Sequence, residues 1–305
     1  MNTNPMLAES RTAQIFSSVT FSAPQKGNKL NIGNGFTAST FRHNNFVGAM
    51  DPLVMVDHYH MSKPTFGAHP HAGLSAVTVL FEDSVGKFHN QDSLGNDFDL
   101  MPGDLYWLKA ASGAVHDEKP RDGANTHGLQ VFINLPHLMK HDPPESLHVK
   151  AKDMPIITKD GLRVRVVLGN SNQTEGAVSP ALPMTILDGE LDTGCKFTHD
   201  LQAKENGWLY LLTGEIKLNA GGEEITMQAG KALGIKTMSG FDTNLIELTN
   251  VASSKAHFVL FASAPVNESF VQKGPFVMSN EAEVARIEAA YAAGKLGQIK
   301  SLSKN

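Results

Sequence analysis

The sequence contains a single cysteine, Cys195, among 305 residues. One thiol can form neither an internal disulfide nor a thiolate metal cluster, so packing and hydrogen bonds must hold the fold together. Cys195 follows Gly194 with no histidine or basic cluster beside it, and we interpret it as a packing residue, not a nucleophile. Scarce cysteine is typical of a reducing compartment, and we expect a cytoplasmic protein.

Long apolar runs are also missing. No stretch approaches the roughly 18 consecutive apolar residues that a membrane-spanning helix requires, and runs such as residues 77–81 are soon followed by charge. Residues 1–16 mix Asn, Glu, Arg and Gln and lack the apolar centre of a signal peptide. The sequence therefore predicts neither a membrane segment nor export.

Positive charge is not in excess. The chain has 26 Lys and Arg against 31 Asp and Glu, a net charge of −5. Nucleic-acid-binding proteins usually carry a strongly basic face, so we expect no direct binding of nucleic acid. Hydrophobic residues make up 41% and charged residues 19%, which is the balance of a folded globular protein.

Short runs of β-branched and aromatic residues are present throughout residues 30–265, separated by Gly, Asn and Asp clusters. Examples are residues 76–81, 129–135, 162–168 and 207–213. The pattern predicts an all-β fold of short antiparallel strands, and the length suits two domains. Residues 77–103 and 209–230 repeat a similar order of strands and glycine turns, which indicates an internal duplication.

Two adjacent prolines, Pro143 and Pro144, suggest the domain boundary because they remove backbone donors. We predict an N-terminal metal-binding domain (residues 1–140), a C-terminal domain without metal ligands (141–278) and a helix with a tail (279–305). The helix is expected over residues 280–294. Ser279 or Asn280 can cap it, and its apolar stripe should pack against a barrel. That stripe is Val284, Ile287, Ala290 and Tyr291.

The residues that indicate chemistry are two pairs with a spacing of two. Side chains at i and i+2 of a strand share a face, so His69 and His71 can reach one ion. Pro70 between them places this segment at the start or the edge of a sheet. His116 and Glu118 repeat the spacing on a second segment, with Asp117 expected to point away. Three imidazoles and one carboxylate suit Fe, Mn, Ni, Cu or Zn, and leave open positions for further ligands.

The remaining histidines give weaker signals. His58 and His60 also have the spacing of two, and we interpret His58 as a structural hydrogen-bonding residue and His60 as a surface residue. His199 and His257 lie far apart with no partner two residues away, so the second half is predicted to lack a metal quartet. Five further histidines stand alone in the sequence: His89, His127, His137, His141 and His148.

Several motifs, in order along the chain, resemble the pirin family. They are Asp51-Pro52-Leu53, Val56-Asp57-His58, Gly67-Ala68-His69-Pro70-His71-Ala72-Gly73, Asp92-Ser93-Leu94-Gly95-Asn96, Pro102-Gly103-Asp104-Leu105, Ser112-Gly113-Ala114-Val115-His116-Asp117-Glu118, Leu129-Gln130-Val131-Phe132-Ile133-Asn134-Leu135-Pro136 and Gly274-Pro275-Phe276-Val277-Met278. The resemblance spans nearly the whole chain. It departs from the family at residues 106–111, at Ala72 where an arginine is usual, and at residues 89–93, which are one residue longer. These departures bear on the shape and polarity of the pocket.

The resemblance implies a bicupin, two cupin-type antiparallel β-barrels of jelly-roll character followed by a C-terminal helix. It also implies one divalent metal, iron(II) first, at the positions of His69, His71, His116 and Glu118. Known pirins include a nuclear coregulator and quercetin 2,3-dioxygenases, so two functions stay open. One is a dioxygenase that opens a flavonol-like ring with dioxygen, with Glu118 as the catalytic base. The other is a non-enzymatic, iron-dependent binding protein that acts through a protein partner.

The aromatic residues in the predicted strands allow two interpretations, as pocket residues or as core residues. Trp107 and Phe132 could line a pocket of flavonoid size, although aromatic side chains in barrel strands are usually core residues.

Overall fold

The computed structural model describes residues 18–238 and 243–299. Residues 1–16, for which no signal peptide is predicted, lie outside the described residues. Within the described ranges the secondary structure is almost entirely β, as predicted, with one α-helix near the C-terminus. None of the described helices is long and apolar enough to cross a bilayer.

The strands of the first part of the chain are short, as expected from the closely spaced turn residues. They are β1 (Val19–Phe21), β2 (Gln25–Lys26), β3 (Asn28–Ile32), β4 (Phe36–Arg42), β5 (Leu53–Met61), β6 (His69–His71), β7 (Leu74–Leu80), β8 (Phe88–Asp92), β9 (Asp97–Leu100), β10 (Leu105–Lys109), β11 (Ala114–Pro120), β12 (Thr126–Asn134) and β13 (Glu145–Val149).

The second part continues in the same manner and ends in the helix. Its elements are β14 (Ile156–Lys159), β15 (Leu162–Leu168), β16 (Asn170–Ser171), β17 (Thr174–Glu175), β18 (Met184–Leu191), β19 (Lys196–Gln202), β20 (Asn206–Thr213), β21 (Glu215–Ala220), β22 (Glu223–Gln228), β23 (Lys231–Thr237), β24 (Thr243–Asn250), β25 (Ala256–Ser263), β26 (Val271–Lys273), β27 (Phe276–Met278) and α1 (Glu281–Ala292).

Each half of the chain forms one large and one small antiparallel sheet. In the first half a seven-stranded sheet in the order β13-β10-β7-β12-β5-β4-β3 is accompanied by a four-stranded sheet, β6-β11-β8-β9. In the second half an eight-stranded sheet, which includes β1 and β2 from the start of the chain, is accompanied by β19-β24-β21-β22. The sheets are of jelly-roll type, not closed barrels. The predicted all-β fold is confirmed.

The first sheet extends past the boundary predicted at residues 140 and 141. That boundary falls at the end of a 3-10 helix, His137–His141, and the following strand β13 pairs with β10 of the first half. A single hydrophobic core then joins the halves, because Phe41 and Trp107 pack in the same cluster as Trp208 and Phe261. The division into domains itself stays a prediction.

The C-terminal helix begins as predicted. The side chain of Asn280 accepts a hydrogen bond from the Glu283 amide, and the Glu283 carboxylate accepts one from the amide of Ser279, one residue before the cap. Val284 and Ile287 are buried, as the stripe predicts. Tyr291 is 41% exposed, so the stripe is narrower than predicted.

The helix and β27 pack on the back of the strands that carry the paired histidines. Val284 and Ile287 of α1 share a hydrophobic cluster with Ala72, next to His71, and with Val115, next to His116. Ala72 and Val115 point away from the face that bears the imidazoles, because successive residues of a strand point to opposite faces. We call residues 271–278, which include β26 and β27, the C-terminal strap.

A buried ammonium group fastens this strap to the first half. Lys140, 1% exposed, donates hydrogen bonds to the Gly73 carbonyl at 2.8 Å, the Val277 carbonyl at 2.8 Å and Asn134 Oδ1 at 2.6 Å. Burial lowers the pKa of Lys140 to about 8, so the side chain is mainly protonated at neutral pH and its three hydrogens meet three acceptors.

We expect Lys140→Met to lower the free energy of unfolding by about 2 to 5 kcal/mol, because buried acceptors lose their donor. Urea unfolding at neutral pH measures the change. The matched control is Lys150→Met, at an exposed lysine, which should change the free energy by less than about 0.5 kcal/mol. Equal midpoints for the two variants would show that the three hydrogen bonds do not stabilise the fold.

Candidate metal centre

Two neighbouring strands bring the paired residues to one face. β6 is a three-residue edge strand of the four-stranded sheet, the position predicted from Pro70. It pairs with β11 so that His116 is directly opposite His69 and Ala114 is opposite His71. The register places the three imidazoles side by side on the inner face of the sheet.

The three rings meet at their Nε2 atoms. His71 Nε2 lies 3.0 Å from His116 Nε2, which in turn lies 3.1 Å from His69 Nε2. Metal–imidazole bonds of about 2.1 Å give a separation of about 3.0 Å between ligands at right angles, and about 3.4 Å between tetrahedral ligands. The two observed separations are close to those of ligands that share one metal ion.

Two of the rings are held with their lone pairs directed at this point. His69 Nδ1 donates to the Gly67 carbonyl at 2.8 Å, and His71 Nδ1 donates to the Pro275 carbonyl of the C-terminal strap at 3.2 Å. A neutral imidazole that donates through Nδ1 has an unprotonated Nε2. Such hydrogen bonds are the usual way in which proteins orient metal-binding histidines.

The environment keeps the buried imidazoles neutral. Burial, reinforced by the neighbouring His69, lowers the pKa of His71 to about 3. Burial and the two neighbouring imidazoles also lower the pKa of His116 well below its ordinary value. Neutral imidazoles are the form that binds a metal ion.

Glu118 lies in the same pocket, but its oxygens are outside the group of histidine nitrogens. The ligand atoms of His69, His71 and His116 all lie within 4.8 Å of one another, whereas Glu118 accepts hydrogen bonds from Thr78 Oγ1 at 2.8 and 2.9 Å. Glu118 Oε2 lies 3.8 Å from His116 Nδ1, a buried atom without a hydrogen-bond partner among the described residues. Burial raises the pKa of Glu118 to about 7, although Thr78 opposes the shift.

Asp117 points away from the centre, as the strand alternation predicts. Its carboxylate contacts Lys119 Nζ at 2.6 Å. The donor set of three imidazoles with a carboxylate nearby fits a divalent transition metal ion.

A cavity of about 490 Å³ opens in front of the histidines. Its apolar wall consists of Phe36, Met55, Tyr59, Met61, Phe66, Phe88, Phe132, Gly274 and Pro275, and its other polar residues are Asp57 and Gln130. Binding pockets for small organic molecules are commonly about 300 to 1,000 Å³ and mostly apolar with a few polar groups. The cavity therefore has the size and lining of a small-molecule site.

The two aromatic residues singled out in the sequence have different positions. Phe132 lines the cavity, with its ring centroid 4.9 Å from that of His71, whereas Trp107 is fully buried in the core between the halves. Met55, Asp57 and Met61 also line the cavity, although no sequence motif identified them as pocket residues. All three lie on one face of β5 at alternate positions, so a period-two analysis of this strand offered a signal.

The other histidines lie outside this centre. His58 Nδ1 is 2.6 Å from Tyr210 Oη, in agreement with the predicted hydrogen-bonding role, and His60 is exposed as predicted. In the second half His199 contacts Ser171 Oγ at 3.0 Å, and His257 contacts Asp188 at 2.6 Å. Cys195 is half-buried, with Sγ 3.7 Å from a backbone carbonyl.

Comparison with known proteins gives a consistent result. The family model described as Pirin matches residues 29–133, and the one described as Pirin C-terminal cupin domain matches residues 186–297. A pirin-like protein of Solanum lycopersicum is 31% identical over 253 residues, 83% of this chain and 84% of that protein.

Solved structures share the architecture. A quercetin 2,3-dioxygenase from Acinetobacter baumannii has a TM-score of 0.79 at 24% identity, over 93% of this chain and 100% of that one. The bacterial pirin YhhW from Escherichia coli, in complex with nickel(II), has a TM-score of 0.59 at 17% identity, over 81% and 99%. These neighbours show the fold, and with the match to the C-terminal cupin domain they confirm the predicted cupin-type, jelly-roll-like fold class.

Asp57 generates a prediction about stability. It is 7% exposed and 3.3 Å from Arg42 Nη1, yet burial raises its pKa to about 6 despite that partner. Above its ordinary pKa of 3.8 the unfolded chain releases this proton while the folded chain retains it up to about pH 6. The free energy of unfolding therefore falls as pH rises through this window.

We expect Asp57→Asn to be more stable than the wild type by about 1 to 3 kcal/mol near pH 8, and the difference to shrink towards pH 4. Urea unfolding at both pH values measures it. The exposed Asp160→Asn serves as the control and should show no such pH-dependent difference. A constant difference for Asp57→Asn at the two pH values would contradict the assignment.

Proposed function

The chain belongs to the pirin family, and from that premise we propose that it is a metal-dependent dioxygenase that opens the ring of a flavonol-like substrate. We propose His69, His71, His116 and Glu118 as the ligands of a single divalent ion. The observation that carries the proposal is the convergence of three histidine Nε2 atoms at the base of an aromatic cavity, with that of His116 3.0 Å from that of His71 and 3.1 Å from that of His69.

The metal that we propose is iron(II), with Mn, Ni, Cu and Zn as compatible alternatives. Imidazole nitrogens with a carboxylate oxygen are ligands that all of these ions accept. The bacterial pirin YhhW, a structural neighbour, was solved in complex with nickel(II). A cytoplasmic location, expected from the single cysteine, would keep iron in the reduced state.

The bound ion would supply Lewis acidity towards a substrate oxygen and an open position for dioxygen. The protein itself would position the substrate. Phe132 beside His71, together with Phe36 and Phe88, forms flat apolar walls that suit a planar aromatic ring system. The same walls exclude water from the reacting atoms.

Glu118 has two tasks in this proposal. Its carboxylate would contribute to holding the ion, and it would accept the proton from the substrate hydroxyl at an Oε atom. Thr78 supports the second task because its hydroxyl holds the Glu118 carboxylate in place. Thr78 Oγ1 lies 2.8 Å from Glu118 Oε1 and 2.9 Å from Oε2. Thr78 is thus a positioning residue for Glu118. A protein that only binds a metal and a partner would not require this base.

We expect one tightly bound metal at this centre, and His71→Ala should remove most of it because the ring provides one of three converging nitrogens. Metal analysis of the protein purified with iron(II) measures the stoichiometry. The controls are His199→Ala and His257→Ala in the second half, which should retain the iron. Equal iron loss from all three variants would contradict the assignment of a single metal centre.

We expect Glu118→Gln to reduce oxygen consumption with quercetin by about 100- to 10,000-fold per bound metal, the range that general-base catalysis typically contributes. The amide keeps the shape of the side chain but cannot accept the proton. The measurement is made on wild type and variant side by side, normalised to metal content. A variant that matches the wild type excludes Glu118 as the base. A wild type that consumes no oxygen refutes the dioxygenase and leaves the metal-dependent binding protein.

A further inference from the structure

A second group of histidines includes two from β5, on the face of that strand that points away from the cavity. His58 and His60 are two residues apart on this strand, and His127 lies on the paired strand β12 directly opposite His60. Their ligand nitrogens all lie within 4.8 Å of one another. The construction repeats that of the first centre, in which a His-x-His pair meets a third histidine on the neighbouring strand. His127 stands alone in the sequence, so only the strand register reveals its partners.

Hydrogen bonds orient two of these rings towards each other. His127 Nδ1 lies 2.7 Å from Asp83 Oδ1, and because a carboxylate accepts, this nitrogen carries the proton and Nε2 has the lone pair. His58 Nδ1 lies 2.6 Å from Tyr210 Oη of the second half of the chain. The two Nε2 atoms face each other at 2.6 Å. A carboxylate behind a histidine is a common support for a metal ligand.

The third ring covers the pair from the solvent side. The His60 ring is stacked on that of His127, with centroids 4.1 Å apart and planes 7° apart. His60 is exposed, so its ring can turn to present a nitrogen without disturbing the core. His58 and His127 are only partly buried, which leaves the group open to an ion from solution.

We propose that His58, His60 and His127 form a second metal site, for an imidazole-preferring divalent ion such as zinc(II), at the seam between the two halves of the chain. Without the ion, His58 Nε2–H donates to His127 Nε2, and Tyr210 donates to His58 Nδ1. With the ion, the His58 proton resides on Nδ1 and Tyr210 Oη accepts it, so no net proton is lost. The two Nε2 atoms separate from 2.6 Å to about 3.0 to 3.4 Å to admit the ion.

A third group, His137, His141 and Glu283, has a structural explanation instead. Glu283 accepts from the Ser279 amide at the start of α1, and His137 Nδ1 contacts Ser279 Oγ at 2.8 Å. Its histidine nitrogens remain 3.8 and 3.9 Å from the Glu283 carboxylate. These contacts account for the group as part of the helix cap, and it provides a matched control.

Occupancy of the seam site would stabilise the junction of the two halves. The ion would hold His58 and His127 of the first half, and His58 is hydrogen-bonded to Tyr210, which packs against Phe41 and Trp208 in the shared core. An ion that binds only the folded chain raises its stability in proportion to the logarithm of its concentration. Zinc should therefore raise the melting temperature of the holoprotein.

The test is equilibrium dialysis of the iron-loaded protein against zinc at a micromolar free concentration, followed by counting of all metals in each chain. We expect the wild type to bind one ion more than His60→Asn, and zinc to raise the melting temperature of the wild type but not that of His60→Asn. Asp83→Asn should weaken zinc binding by about 10- to 100-fold, since it removes the carboxylate that orients His127. His141→Asn should bind as many ions as the wild type, and His71→Ala should lose the first ion but keep this one.

Three results would overturn the proposal. The wild type and His60→Asn could bind equal numbers of ions, which would leave the group as a hydrogen-bonded histidine pair. His141→Asn could lose the additional ion, which would assign it to the helix cap. His71→Ala could lose all zinc binding, which would show that zinc enters only the first centre. Because iron and zinc are counted separately, failure here is distinct from failure of the proposed dioxygenase.

Discussion

The buried ammonium group of Lys140 joins the first half of the chain to the strap that returns from its end. Two of its three hydrogen bonds go to the carbonyls of Gly73 and Val277, and the third goes to Asn134 at the end of β12. The contact is so close that a Cβ atom at Gly73 would lie 2.0 Å from the Val277 carbonyl oxygen, and Gly73 also has a positive φ of 73°. Only glycine satisfies both conditions. The strap in turn supplies the Pro275 carbonyl that orients His71.

The side chains of strand β5 point alternately into two different environments. Asp57 and Tyr59 line the aromatic cavity, while His58 and His60 face the seam between the halves. This division follows from the alternation of side chains along a strand, which allows one segment to serve two separate environments. Burial raises the pKa of Asp57 to about 6, so ionisation of this carboxyl at neutral pH lowers the free energy of unfolding.

The sequence predicted the parts of the fold that depend on local rules. Alternation on a strand was enough to place His69 with His71 and His116 with Glu118, and the capping residues located α1 to within two residues at its C-terminal end. The remaining features depend on contacts between distant segments. Nothing near His71 indicates the carbonyl of Pro275, and His127 has no partner in its own segment. Tyr291 fell on the helical stripe but is exposed, because α1 packs on a narrow strip around Ala72 and Val115.

The position of the strap in the chain also has a consequence for biosynthesis. The carbonyl that orients His71 belongs to a residue 204 positions later, so a nascent chain exposes the histidines long before their support has left the ribosome. During synthesis β6 therefore precedes its support by about two-thirds of the chain, and the Pro275 carbonyl can orient His71 only after the strap has been made and has packed behind β6.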